Sequence, residues 1–285
     1  MVKPAALALA AVSVSVSGFE LGRRLYRDSR LFTPDPEPAI SWDPVDYGLA
    51  PDAVDEVEFE VDGNELRGWY CRAAHPIASA LYCHGNSANF TLDLPVIRSF
   101  VDAGISVLTF DYRGFGRSTG RPTLRGVYRD AFAAAAIHDD LRPAGLPSIL
   151  YGFSLGGAIA AKLALRVRFD ALVLQSTFTC LRDIVRTLHP EIPLHLLCAG
   201  ELDTMQAMER IALPALVIHG TDDEVIPRAM GKALFEKAKN GRAYLAIEGA
   251  AHGNVFDVGG DQVVRAIRSL ALDLGPAREA ARIAS

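Results

Sequence analysis

The chain has no basic run, no Cys-x-x-Cys pair and no uncharged stretch of full membrane-spanning length, and each absence closes a class of function. Without clustered lysine and arginine, and at a formal net charge of −5, it cannot neutralise a phosphate backbone, so no nucleic-acid partner is expected. The four cysteines, Cys71, Cys83, Cys180 and Cys198, form no closely spaced pair. Neither a zinc knuckle nor a dithiol redox motif is therefore indicated, and small buried thiols are expected. The histidines do not group with acids or cysteines at metal-ligand spacing, so no metal and no other cofactor is implied. Internal repeats and low-complexity tracts are missing too, apart from a short alanine-rich run at Ala131–Ala136.

The longest uncharged stretch, Ala5–Phe19, falls short of the roughly 20 apolar residues a spanning helix needs, and Ser13, Ser15 and Ser17 dilute it. Its flanking charge lies mainly on the C-terminal side, at Arg23, Arg24, Arg27 and Arg30, which disfavours export. Three readings stay open: a weak membrane anchor or surface segment over residues 1–30, a signal peptide, and a soluble helix. The expected location is the cytoplasm, with the segment able to tether the chain to the inner membrane face.

What is present is an ordinary globular balance of 50% hydrophobic and 22% charged residues over 285 positions, enough for one large domain. Residues 31–51 carry Pro34, Pro36, Pro38, Pro44 and Pro51 and read as an extended linker. Val57–Val61 and Leu66–Cys71 flank Asp62-Gly63-Asn64, a hairpin signal. Six short apolar runs follow, at Ala78–Cys83, Ile105–Phe110, Ser148–Tyr151, Ala171–Leu174, Ala215–Ile218 and Ala243–Ile247. Helix-length stretches at Leu92–Ala103, Leu124–Leu141, Leu155–Arg168, Arg228–Lys239 and Asp261–Leu274 separate or follow them. The alternation predicts an α/β domain over residues 52–275 with an eight-stranded, mostly parallel sheet and helices on both faces. Only 178–212 breaks the rhythm, with two helical pieces around His189-Pro190 where one is due, and it is expected to form a small helical cap.

Gly152-Phe153-Ser154-Leu155-Gly156 lies between the strand ending at Tyr151 and a helical run. A serine at such a strand–turn–helix junction is exposed on a tight turn, and small residues two positions away on either side keep the turn uncrowded. Ser154 is the candidate nucleophile. It needs a base, and in this arrangement the chain order is Ser, acid, His. His252, in Gly249-Ala250-Ala251-His252-Gly253 after the last strand, is the last histidine and the candidate base. The acid lies among Asp222, Asp223 and Glu224, after the strand Ala215–Ile218; Gln175-Ser176-Thr177, the other strand end, carries no carboxylate. Two backbone N–H groups must face the developing oxyanion. Leu155 supplies one, and Asn86, in the loop after Ala78–Cys83, is the candidate for the other. His84 is expected to shape that loop, and Asp111 and Arg113 to tie loops together.

Leu81–Asn86, Asp111–Ser118, Gly152–Gly157, His219–Pro227 and Gly249–Asn254 together resemble the successive signatures of the α/β-hydrolase superfamily. Asp62-Gly63, Gly68-Trp69-Tyr70, His84-Gly85-Asn86 and His219-Gly220-Thr221 resemble its small-capped members, the bud-emergence-type proteins and α/β-hydrolase-domain acyl-protein thioesterases. The likeness runs from about Asp46 to Leu272. It implies the α/β-hydrolase fold, Asp223 as the acid, and acyl esters or thioesters of small molecules or lipids as substrates. The expectation is a serine hydrolase working through an acyl-enzyme. Peptidase or acyltransferase chemistry on the same fold, and a non-catalytic binding protein, are the alternatives. Dehalogenases and epoxide hydrolases of this fold carry an aspartate at the elbow, where this chain has Ser154.

Overall fold

The computed structural model describes residues 26–188, 190, 198 and 201–283. Ten strands are present among them: β1 (Thr33–Pro34), β2 (Val54–Val61), β3 (Asn64–Cys71), β4 (Ala78–Cys83), β5 (Ser87–Ala88), β6 (Ile105–Phe110), β7 (Ser148–Phe153), β8 (Ala171–Gln175), β9 (Ala215–Gly220) and β10 (Gly241–Ile247). The α-helices are α1 (Leu94–Asp102), α2 (Leu124–Leu141), α3 (Leu155–Leu163), α4 (Leu181–Leu188), α5 (Thr204–Met208), α6 (Arg228–Lys237) and α7 (Val255–Ile283). A further helical turn covers residues 26–31.

Eight strands form one sheet in the order β10-β9-β8-β7-β4-β6-β3-β2. Every pairing from β10 to β6 is parallel, and β3 joins antiparallel to β6 and to β2. This is the expected hairpin-plus-six arrangement. Strands β4, β6 and β9 are buried along their whole length because helices cover both faces. Successive side chains point to opposite faces, so Leu81, Leu150, Leu172 and Val217 pack with α2 and α3, while Tyr82, Tyr151, Val173 and Ile218 pack with α1 and α7. The edge strand β2 instead turns Asp55, Glu56, Glu58 and Glu60 to solvent, which blunts an open edge.

Helix α2 occupies the predicted range, with Thr123 capping it by accepting from the Gly126 amide. Other helix boundaries moved. Helix α3 stops at Leu163, and α7 begins at Val255, upstream of the prediction, with a kink at Gly259. Residues 31–51, expected as a linker, are extended but packed. Strand β1 pairs with β5, Phe32, Tyr47 and Leu49 are buried, and the Tyr47 hydroxyl bonds the backbone of Ser41. The described part of 178–212 contains α4 and α5. Among the described residues no helix is long and apolar enough to cross a membrane; Ala5–Phe19 lies outside them.

The sheet reverses its winding between β4 and β7, since the chain runs from β4 outward to β6 on one side and from β7 to β8, β9 and β10 on the other. In parallel sheets, ligands bind beyond the strand C-termini at such a switch point. Every candidate site residue lies at that end.

Candidate active site

Ser154 directly follows β7 and precedes α3, with φ 54° and ψ −119°, a backbone region that a non-glycine residue occupies only under strain. Its backbone is held on both sides. The Ser154 amide donates to Gln175 O at 2.9 Å, and its carbonyl accepts from Gly157 N at 3.0 Å and Thr177 Oγ1 at 2.7 Å. The turn is possible because neighbouring backbones nearly touch. A Cβ on Gly152 would stand 2.4 Å from Gly156 O, and one on Gly156 would stand 2.0 Å from Cys83 O. The side chain thus emerges at the switch point, only 7% exposed.

His252 comes from the loop between β10 and α7, which is stitched to the loop after β9. Thr221 N donates to Ile247 O, Asp222 N to Ala250 O, and Gly249 N to Thr221 Oγ1, at 2.8–3.0 Å. The Asn254 side chain accepts from Ala251 N at 2.7 Å. These ties carry the imidazole across to β7, where Nε2 lies 3.1 Å from Ser154 Oγ and Nδ1 lies 2.9 Å from Asp223 Oδ2. A proton on Nδ1 facing the carboxylate leaves the Nε2 lone pair facing the hydroxyl. The Phe153 ring packs on the imidazole, with centroids 5.2 Å apart.

Of the three adjacent acids, only Asp223 turns inward. Asp222 and Glu224 are exposed, and Asp222 accepts from the Thr221 hydroxyl. Asp223 Oδ1 accepts from the Val225 and Ile226 amides at 3.0 and 2.7 Å. Burial by itself pushes the pKa of Asp223 up, but hydrogen bonds from His219, His252 and the Ile226 amide outweigh it and hold the carboxyl below the usual range. His219 is the residue sequence reasoning missed. It stood inside the His219–Pro227 motif, but nothing in its spacing said that its ring would meet Asp223, 3.2 Å away.

Leu155 is the first residue of α3, so its N–H has no intrahelical acceptor. Asn86 lies in the facing loop. There a Cβ on Gly85 would come within 3.7 Å of Ser154 Cβ, which sets that loop beside the serine. The N-terminal arm anchors Asn86: its carbonyl accepts from Thr33 N and its Nδ2 donates to Leu31 O at 2.8 Å. Beneath this loop His84 is buried, with its ring against Tyr112 at 4.3 Å and Phe115 at 5.2 Å, and burial pulls it down to about 3. Asp111, also buried, accepts from Phe90 N at 2.8 Å, and burial pushes its carboxyl up to about 8. Arg113 meets Asp130 through two nitrogens at 2.6–3.0 Å and reaches Asp62 at 3.1 Å. Both residues tie loops, as expected.

A cavity of about 110 Å³ adjoins Asn86, lined by Arg27, Arg30, Leu31, Leu181, Val185, Leu188 and Cys198. The cysteines are free thiols, and no metal-binding cluster occurs among the described residues.

The family described as the alpha/beta hydrolase fold matches residues 81–194. An uncharacterised protein of Mycobacterium tuberculosis (strain ATCC 25618 / H37Rv) is 31% identical over 225 residues, covering 77% of this chain and 79% of its own. The human alpha/beta hydrolase domain-containing protein 17B is 33% identical over 203 residues, 68% of this chain and 67% of its own. Among solved structures, a Pyrococcus furiosus esterase superposes with TM-score 0.68 at 19% identity, over 85% of this chain and 97% of its own.

Proposed function

From a chain that belongs to the α/β-hydrolase superfamily, we propose a serine hydrolase that cleaves carboxylic ester or thioester bonds through an acyl-enzyme. Hydrolase activity in general follows from the family; the bond cleaved and the residues that act are our reading. The observation that carries it is the unbroken series Ser154 Oγ, His252 Nε2, His252 Nδ1 and Asp223 Oδ2, linked at 3.1 and 2.9 Å.

A serine hydroxyl is a weak nucleophile until a base removes its proton. In this reading His252 takes the proton as Ser154 Oγ attacks the acyl carbon, and Asp223 stabilises the imidazolium that forms. The tetrahedral oxyanion receives hydrogen bonds from the backbone N–H groups of Leu155 and Asn86. As the carbon–oxygen or carbon–sulfur bond breaks, His252 returns the proton to the leaving alcohol or thiol. Water then repeats the sequence on the acyl-enzyme, releasing the acid and restoring Ser154. The described part of 178–212 would act as a small cap, with the cavity beside Asn86, walled by Leu31, Leu181, Val185 and Leu188 together with Arg27 and Arg30, receiving the acyl group.

The test is turnover of short-chain p-nitrophenyl esters and acyl thioesters, together with labelling by a fluorophosphonate. Wild type should turn over and label, and Ser154→Ala should do neither. Asp223→Asn should lower kcat by roughly 10⁴-fold, because the imidazole loses its tautomer, while Asp222→Asn stays near wild type. Equal turnover by wild type and Ser154→Ala defeats the proposal. Absence of labelling in the folded wild type supports a non-catalytic binding protein instead.

A further inference from the structure

His219 is the last residue but one of β9, and its side chain is wholly buried. Its Nε2 lies 2.9 Å from the Ile226 carbonyl oxygen and 3.2 Å from Asp223 Oδ2. Its Nδ1 has no hydrogen-bond partner among the described residues. Helix α6 presses on that side of the ring, where a Cβ on Gly231 would come within 2.3 Å of Nδ1. A proton on Nδ1 would be buried without an acceptor, a state that costs the full desolvation of an N–H group. The ring is therefore the neutral tautomer with its proton on Nε2. That single N–H faces two acceptors, the Ile226 carbonyl and Asp223 Oδ2.

Asp223 is thereby surrounded. Oδ1 takes two backbone amides, and Oδ2 meets two imidazole nitrogens, one from His252 and one from His219. The carboxylate side chain is itself fully enclosed. A carboxylate removed from water takes up a proton unless donors replace its hydration. A protonated Asp223 would offer a hydrogen where His252 needs an acceptor.

We propose that His219 is a positioning residue that acts through Asp223. By sharing Oδ2 with His252 it fixes the plane of the carboxylate and keeps it a charged acceptor. The proposal rests on Asp223 being the acid partner of His252. It explains why a histidine stands at the buried end of β9 and why α6 carries a glycine opposite it: any larger residue at 231 would drive the ring toward Asp223.

The experiment compares wild type with His219→Phe, which keeps a ring and loses the donor, and His219→Gln, whose amide can place an N–H near Nε2. The readouts are the low-field proton NMR signal of the hydrogen between His252 and Asp223, kcat and KM on a short p-nitrophenyl ester, and Tm. With one donor removed, Asp223 becomes more basic toward His252. In His219→Phe the signal should therefore move downfield by more than its linewidth. The bond lost is one to a charged group, so kcat should fall about tenfold or more, with KM within about twofold. His219→Gln should return signal and kcat most of the way.

An unmoved signal in His219→Phe overturns the proposal. So does a His219→Gln variant that loses as much kcat as His219→Phe while Tm falls equally in both, the mark of a packing role alone. If His219→Phe does not fold, Gly231→Ala displaces the ring from the helix side; the signal must then move, and a wild-type position overturns the proposal. The signal requires only the His252–Asp223 hydrogen bond, so it can be read in an inactive Ser154→Ala background. Failure of the proposed function would appear as equal turnover by wild type and Ser154→Ala or as no turnover in either, and the NMR comparison would still decide on His219.

Discussion

Gly156→Ala adds one methyl group where two backbones meet, and its effect can be worked out from the contact. The new Cβ would stand 2.0 Å from Cys83 O and 2.5 Å from His84 O. Both are backbone oxygens, at the end of β4 and the residue after it, so no side chain can rotate out of the way. Carbon needs more than 3 Å from such an oxygen, and α3 must retreat from β4 by roughly 1 Å. The same retreat pulls Ser154 away from the 84–86 loop that lies beside it. Forcing a methyl group into a packed region costs about 1–3 kcal/mol. Because the obstacle is backbone, the upper end applies. For a chain of this size that is a drop of roughly 5 °C in Tm. A misplacement of about 1 Å at a reacting group costs on the order of 10²-fold in rate, to be read as fluorophosphonate labelling per unit time. Gly85→Ala is the control for stability, because its Cβ would meet only the Phe153 ring at 3.5 Å and Ser154 Cβ at 3.7 Å, both ordinary contacts. Its Tm should stay near wild type. A Gly156→Ala protein with wild-type Tm and labelling rate would refute the close approach of α3 to β4.

Arg113→Met should lose about 3–5 kcal/mol in urea denaturation, because it strands the fully buried Asp130 carboxylate. Arg113→Met/Asp130→Leu should recover much of that loss, and a double variant no better than the single one would argue against an electrostatic cause. His138 bonds Ser79 at 3.0 Å, and burial, with help from Arg142, pulls it down to about 4. Between pH 6.5 and 4 the unfolded chain then binds a proton on His138 that the folded chain does not, so stability drains away as pH falls through that window. The loss reaches about 3 kcal/mol at its acid end. His138→Gln keeps a donor for Ser79 and removes that loss, so its stability relative to wild type should improve steadily from pH 7.5 to pH 4. A constant difference would mean that His138 takes a proton in the folded state.

The central strands and α2 were legible because their limits are set locally. Ala78–Cys83, Ile105–Phe110 and Leu124–Leu141 have the predicted ends, marked by Gly104 at φ 85° before β6 and by Thr123 capping α2. Elements whose limits depend on packing were less so. The 31–51 segment is rich in proline and lacks periodicity, yet Phe32, Tyr47 and Leu49 fold into the core. Sequence registers the missing hydrogen-bond donors of proline, but not a surface that three apolar side chains can reach. Helix α7 starts early because Gly259 bends it instead of ending it.

The same division separates the residues of the site. Ser154 and His252 were legible because each sits in a local frame marked by its context: a glycine-flanked turn between a buried strand and a helix, and a small-residue loop after the last strand. Asp222, Asp223 and Glu224 sit side by side in a loop without periodicity, where nothing local says which side chain turns inward. That is settled by the amides of Val225 and Ile226, which fold back on Oδ1 and leave Oδ2 directed at a histidine 29 residues away. His219 is further from reach, because its role exists only once α6 has closed over the ring and Gly231 has let it do so. Motif spacing therefore finds groups that would meet the substrate, while groups that act through another side chain emerge only when the sheet brings strand ends together. The corollary is that the chemistry of Asp223 belongs to the whole 219–226 segment. Transplanting Asp223 and His252 into a related sheet without a buried donor at position 219 should give a carboxylate more basic toward its histidine, detected as the downfield displacement expected for His219→Phe.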